Sequence, residues 1–438
     1  MNERTRAIVA ASVGNMLEWY DFTVYALFAT YVGSNFFPAN ADPAVNRIKA
    51  FLFFGLAFVA RPLGAVLIGS YGDRAGRKAS LTLTILLMAL GTAAIAFAPT
   101  YAAIGIGAPL LLLLGRILQG FSAGGEVGSA TAFLAENANG ADRGVVTSWL
   151  EASMGMANIL GALAAFCVTA LLSAAQVQAW GWRLPFLFGL LILPVGLVLR
   201  RTLHETRSFS VEIERRVARK AGSGSPVLEV FAHHKRELVL GLGVCVLWAV
   251  AVYVLIVFVP TYVQTAFGFT ATQAFGASLV GNVAFVSCCV IFGAVSDRIG
   301  RRTMLLISTA ALFACVLPLF LLLQAFPTTA TLVGVVTAFC VLVASFVGVA
   351  PAGISEMFPT GVRSIGTAIV YNGAFTLFGG FAPAILTWFT RRPGGSVFAP
   401  AWYVMLAAIV AAIAIPFLGG RASSDPGVTP ASAPSALT

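Results

Sequence analysis

An all-α integral membrane protein with twelve transmembrane helices in two six-helix halves is the fold class this sequence predicts, on three observations. First, 59% of the 438 residues are hydrophobic and only 10% are charged, where a soluble globular chain carries roughly 25% charged residues. Second, with 34 Phe and a mean hydropathy of +0.91, the apolar residues gather into separate stretches, most of them as long as the roughly 20 residues a helix needs to cross hydrocarbon. Third, two polar segments of one half recur in the other at matching places. These features exclude a soluble enzyme, a disordered chain and a secreted disulfide scaffold.

The stretches fall near 8–37, 48–71, 80–99, 104–135, 144–173 and 182–199, then near 238–268, 273–295, 303–325, 329–355, 364–389 and 400–419. The first carries Glu18 and Asp21 and has no small-residue cleavage site, so it reads as a retained span and not as a signal peptide. Residues 1–199 then form the N-terminal half, 200–236 a cytoplasmic linker, 237–420 the C-terminal half and 421–438 a disordered cytoplasmic tail. The linker joins a charged, helix-compatible run to a Gly/Ser hinge and reads as a tether. Orientation follows from Lys and Arg, twenty of which lie on the side of the N-terminus against five on the other. That asymmetry places both termini and the linker in the cytoplasm.

The excess of 27 Lys+Arg over 17 Asp+Glu is explained by the same bias, so no nucleic-acid partner is expected. All six Cys lie in apolar stretches without CxxC spacing, and the three His share the central polar segment. Neither a disulfide framework nor a metal site is expected. No GxxxxGK[ST] or HExxH motif occurs, which argues against an enzyme.

The repeat is specific. Gly69-Ser-Tyr-Gly-Asp73-Arg74-Ala-Gly76-Arg77-Lys78 returns 224 positions later as Gly293-Ala-Val-Ser-Asp297-Arg298-Ile-Gly300-Arg301-Arg302, each copy following the second span of its half. Glu136 precedes Arg143 by seven residues, and Glu356 precedes Arg363 by seven, both after a fourth span. The halves are therefore parallel repeats, an arrangement known among secondary transporters. Asp beside Arg supplies charge pairs at the cytoplasmic face. Asp73, Arg74, Arg77, Asp297, Arg298 and Arg301, with Glu136, Arg143, Glu356 and Arg363, are suited to hold that face shut and to part when it opens.

The repeated loop resembles the signature loop of the major facilitator superfamily. Gly14-Asn15-Met-Leu-Glu18-Trp-Tyr-Asp21-Phe22, Arg61-Pro62-Leu-Gly64, Gly115-Arg116-Ile-Leu-Gln119-Gly120 with Gly125-Glu126, Gly181-Trp182-Arg183-Leu-Pro185-Phe186 and Glu356-Met-Phe-Pro359 are similar to the metabolite:proton symporter family. Within it, Thr147-Ser148-Trp149, Leu203-His-Glu-Thr206 and Phe378-Gly-Gly-Phe-Ala-Pro383 look most like citrate–proton symporters, with α-ketoglutarate and shikimate carriers close behind. The resemblance implies a symporter of a bacterial-type inner membrane that works as a monomer with the proton as coupling ion and no cofactor. Glu151 departs from the family pattern, where an uncharged polar residue is expected.

Glu18, Asp21, Arg61, Arg116, Glu126 and Glu151 lie within spans. Each charge at mid-bilayer costs about 2.5–3.5 kcal/mol, so each marks a pathway or a partner. Four acids face two arginines that cannot deprotonate. A surplus acid in dry surroundings tends to hold a proton, which is what proton coupling requires. Asp21 and Glu126, with Glu18 beside them, are the proton-coupling candidates. Glu151, eight residues beyond Arg143, reads as that arginine's partner near the inner face. A guanidinium fork matches a carboxylate, so Arg116 and Arg61 are the substrate candidates. The second half has no charge in its spans before Glu356, and there the candidates are Tyr253, Gln264, Asn282 and Asn372. Import of a di- or tricarboxylate is the leading expectation. A carrier of betaine, proline or shikimate, and a non-transporting sensor or channel on the same fold, stay open.

Overall fold

The computed structural model describes residues 3–38, 42–75, 77–124, 130–131, 134–135, 138, 142–191, 226–359 and 362–418. Among them there are helices and no strands. We number the spans α1 to α12. In the first half α1 is Glu3–Leu27, continued after a break at Phe28 by Ala29–Phe36; α2 is Pro43–Ala75, α3 Arg77–Ala96, α4 Gly107–Ala123 and α5 Arg143–Leu171, and α6 is helical over 184–191. In the second, α7 is Lys235–Ala266, α8 Ala271–Ile299, α9 Arg301–Ala325, α10 Thr329–Ser355, α11 Arg363–Arg391 and α12 Ala399–Phe417. Eight of these are long and apolar enough to cross a membrane, and Thr82–Ala96 and Gly107–Ala123 are shorter apolar helices.

Local chemistry sets the ends. Thr270 accepts the Gln273 N–H while Gln273 reaches back to the Thr270 backbone, a capping box that starts α8. Thr328 caps α10. The repeated polar segment is mostly helix rather than loop. α2 runs to Ala75 and α8 to Ile299, and the turn of the second copy is confined to Gly300 at φ +91°, which only glycine adopts without strain. The linker expected over 200–236 falls on residues outside those described up to 225. Its end is helical from Pro226 to His233, and α7 starts at Lys235.

Two of the described spans carry a π-helical segment. α7 contains a π-helical segment at Val252–Phe258, just before Pro260, and α11 one at Phe375–Gly380, before Pro383. A proline lacks the N–H of the regular ladder, so the preceding carbonyls shift to wider pairing. Such segments occur often at functional sites.

Packing repeats as the sequence does. α1 lies on α5 as α7 lies on α11, α2 on α4 as α8 on α10, and α3 on α4 as α9 on α10. The halves meet through two equivalent seams, α5 with α8 and α2 with α11. Large apolar side chains such as Leu67, Phe97, Leu171, Val239 and Ile413 face outward, as lipid contact requires. α7 is enclosed almost completely.

Close α2–α4 packing brings the buried arginines together. A Cβ on Gly64 would overlap the Phe121 carbonyl, and one on Gly120 the Ala57 carbonyl. Small residues at such crossings let backbones touch.

Candidate transport site

Arg61 of α2 and Arg116 of α4 are both fully buried. Nη2 of Arg61 donates to Glu18 Oε1 on α1 at 2.5 Å, while its Nε and Nη1 have no hydrogen-bond partner among the described residues. Its guanidinium lies over the rings of Trp19, Phe22 and Phe58 at 5.5, 5.2 and 4.8 Å. Arg116 donates to Gln119 Oε1 at 2.7 Å and to the Phe54 carbonyl at 3.3 Å, and its Nε also lacks a partner. It lies over Tyr25 at 4.3 Å, Phe22 at 4.8 Å and Phe54 at 5.1 Å. Phe22 is thus shared by the two cations, and the negative faces of the aromatic rings stabilise both charges.

Asp21 is drawn away from Glu18. It accepts from the Thr92 hydroxyl on α3, and that hydroxyl accepts from Gln119 Nε2 at 3.0 Å. Gln119 in turn receives Arg116. A neutral two-residue chain therefore joins the cation of α4 to the acid of α1. Sequence reasoning missed Gln119 and Thr92, although Gln119 stands in the motif that includes Arg116.

Across the centre, the second half brings aromatic rings. Tyr253 in the π segment of α7 is fully buried, its hydroxyl has no partner among the described residues, and its ring meets Phe58 at 5.3 Å, Phe54 at 5.8 Å and Trp19 at 6.3 Å. Tyr371 stacks on Phe375 at 3.8 Å, and Asn372 is buried beside it on α11. Asn282 of α8 lines a small cavity between the halves with Thr23, Asn158, Ser278, Ile256 and Val257. There Asn158 Nδ2 and Asn282 Oδ1 have no partner among the described residues. Gln264 is not brought to this cluster. It sits half-buried near the end of α7 and donates to the Pro260 carbonyl of its own helix at 2.7 Å.

At the Arg-rich face an ion-pair layer joins the halves. Arg143 of α5 faces Glu356 at 3.5 Å, and Arg301 of α9 contacts Glu356 at 3.6 Å and Asp297 at 2.5 Å. The Asp297 carboxylate also accepts the backbone N–H groups of Gly144 and Val145, at 2.9 and 3.1 Å. These are unpaired donors of the first turn of α5. Gly144 and Gly293 let the seam close, since a Cβ on Gly144 would stand 2.5 Å from the Gly293 carbonyl oxygen. Arg298 is exposed, and Arg363 donates to the Ser355 carbonyl at 2.9 Å. Asp73, Arg74 and Arg77 flank the α2–α3 junction, with side chains outside the described part. Glu126 and Glu136 lie outside the described residues.

Glu151 is the main correction. The expected partner, Arg143, faces Glu356 instead. Glu151 points into the seam between the halves, 4% exposed, where Trp248 Nε1 of α7 donates to it at 3.4 Å.

Comparison with known proteins agrees with this architecture. The family model described as Major Facilitator Superfamily matches residues 12–385. A citrate-proton symporter of Salmonella typhi is 34% identical over 417 residues, covering 95% of this chain and 94% of that protein. A glycine betaine/proline/ectoine/pipecolic acid transporter of Dickeya dadantii is 33% identical over 432 residues, covering 97% and 85%. The crystal structure of a D-xylose-proton symporter superposes with a TM-score of 0.75 over 96% of this chain and 99% of that one, at 17% identity, a likeness of fold alone. A motif repeated in two parallel six-helix halves, the matching seams between them and the family model across most of the chain give one answer: the chain belongs to the Major Facilitator Superfamily.

Proposed function

We propose that this protein is a proton-coupled importer of a small organic acid, citrate or a related di- or tricarboxylate, working by alternating access. The observation that carries the proposal is the pair of fully buried guanidiniums, Arg61 and Arg116, with N–H groups that have no partner among the described residues. Buried N–H groups without partners are costly, and a carboxylate is the ligand whose oxygens fit them. The likeness to the citrate-proton symporter of Salmonella typhi supports the same substrate class. The cavity lined by Asn158 and Asn282 adds a donor and an acceptor, a match for a hydroxyl group.

In this reading Asp21 carries a proton, and the chain through Thr92 and Gln119 lets its charge act on Arg116. Glu18 holds Arg61, and Glu126 stays a further coupling candidate. The Arg143, Asp297, Arg301 and Glu356 layer is the cytoplasmic gate, with the Asp73, Arg74, Arg77, Glu136 and Arg363 set as its repeat-related counterpart. The protein acts as a monomer in a bacterial inner membrane, with both termini in the cytoplasm. A betaine-like substrate is the second reading, supported by the Dickeya dadantii relative. Against it, the rings that would cradle a quaternary ammonium already hold two guanidiniums.

Calorimetry on the purified protein with citrate, tricarballylate (citrate without its hydroxyl), glycine betaine and proline tests the reading. Citrate is expected to bind, tricarballylate more weakly, and the zwitterions not at all. Arg116→Lys keeps the charge but loses the fork. At about 1.5–3 kcal/mol for each charged hydrogen bond, citrate should bind roughly ten- to a hundredfold more weakly. Tight betaine binding, or unchanged citrate affinity in Arg116→Lys at a normal melting temperature, would overturn the assignment.

A further inference from the structure

The three buried acids of the described spans are held in different ways. Glu18 has Arg61, and Asp21 reaches Arg116 through two neutral side chains. Glu151 has no cation among the described residues; its donor is the Trp248 indole, which belongs to the other half. The groups facing Glu151 can be named helix by helix. α1 offers Ser12 and Asn15, which donate to the Trp149 and Leu150 carbonyls beside it, and its Glu18 is engaged by Arg61. α7 offers Trp248, with Tyr253 further along, α8 the thiol of Cys289, and α11 the hydroxyl of Tyr371. The Ala350–Ser355 segment of α10 packs on α5 without a titratable side chain.

Position adds the second element. Glu151 lies eight residues beyond Arg143, about 12 Å along α5. The ion-pair layer of Arg143, Asp297, Arg301 and Glu356 stands between it and the Arg-rich face. While that layer is shut, the carboxyl is dry and has a single N–H donor. An ionised carboxylate so placed costs several kcal/mol, and the neutral acid does not. When the layer parts, α5 separates from α8 and water reaches the side chain.

We propose that Glu151 is a second proton-carrying carboxyl of the transport cycle, loaded from the centre of the molecule and unloaded through the ion-pair layer. On unloading, the O–H bond of Glu151 breaks, the proton passes to water on the Arg-rich side, and the carboxylate left behind is stabilised by water and by the Trp248 N–H. The gate and the proton site are then one device, because the same separation of α5 from α8 breaks the ion pairs and hydrates the acid. This inference rests on the proton-coupled reading above.

The test uses the full chain in proteoliposomes with citrate as probe, an imposed pH gradient, and a pH dye to count protons moved per citrate. Glu151→Gln should lower that number by one and reduce the equilibrium accumulation ratio about tenfold per unit of pH gradient. Exchange of citrate at equal pH should persist. An unchanged proton count in Glu151→Gln overturns the inference alone, whereas no citrate-linked proton movement in the unaltered protein overturns the proton-coupled reading and this inference together. Trp248→Phe serves if Glu151→Gln fails to fold. Losing the donor to the ionised form should raise the half-maximal pH of uptake on the Arg-rich side by roughly one unit. An unchanged pH profile in that variant counts against the inference.

Discussion

The two halves descend from one repeated plan and yet divide the chemistry unequally. The N-terminal half buries Glu18, Asp21, Arg61, Arg116 and Glu151, whereas the described spans of the C-terminal half bury no Lys, Arg, Asp or Glu at the centre. Its contribution there is rings and neutral groups, Trp248, Tyr253, Tyr371 and Asn282. A fixed buried charge requires compensation within its own half if that half is to move as a rigid body. The Arg61–Glu18 pair and the Arg116–Gln119–Thr92–Asp21 chain both close inside the first half. The neutral half can slide past them without breaking an ion pair at the centre. Ion pairs between the halves occur at the Arg-rich face, where water is at hand to replace them.

Three experiments would break or sharpen this contrast, in descending order of effect. Arg61→Ala strikes the charged half hardest, because it leaves the Glu18 carboxylate buried with its arginine gone. Breaking a buried pair costs about 3–5 kcal/mol, so a large fall in melting temperature is expected. Combining it with Glu18→Gln should restore much of the folded protein but not citrate binding. If the single variant melts normally, the pair is not what compensates these charges.

Gly144→Ala acts at the seam between the halves. The added methyl meets the Gly293 carbonyl, and overpacking of this kind costs about 1–3 kcal/mol. The Arg-rich face should open more often. In a chain whose other five cysteines are replaced by serine, Cys289, buried on α8, should then react several-fold faster with a maleimide added from that side. Equal labelling rates would mean that the seam is not the moving contact.

Tyr253→Phe tests the neutral half and should have the smallest effect. The hydroxyl has no partner among the described residues, so stability should hold or rise slightly. If substrate supplies the partner, one neutral hydrogen bond of about 0.5–1.5 kcal/mol is lost, and affinity should fall two- to tenfold. Unchanged affinity would remove Tyr253 from the substrate contacts and sharpen the division of labour between the halves.

Much of the fold was legible because its signals are local. Apolar length gives a span, and the copy of Asp73-Arg74 at Asp297-Arg298 gives the repeat. The buried charges were legible too, because a charge inside an apolar stretch is conspicuous. What joins them was not. Gln119 and Thr92 are neutral and unremarkable in composition, and only the meeting of α1, α3 and α4 shows that they bridge Arg116 to Asp21. Glu151 was referred to Arg143 by spacing on one helix. Its actual partner comes from a residue 97 positions away in the other half, a relation no local pattern encodes. Gln264 was chosen for polarity alone, and its helix turned the amide back on its own backbone.

The grip of Asp297 on α5 has a consequence for how this latch tolerates change. Its carboxylate holds the main-chain N–H groups of Gly144 and Val145, and nineteen of the twenty amino acids carry that group. Side chains on the α5 side can therefore drift without erasing this part of the latch, provided that they fit the seam. Only proline at 144 or 145 would delete the donor itself. On the other side there is no such latitude, because a single carboxylate receives both bonds and Arg301 as well. The latch is generic on one face and singular on the other, so substitutions at 297 should be far less tolerated than those at 145.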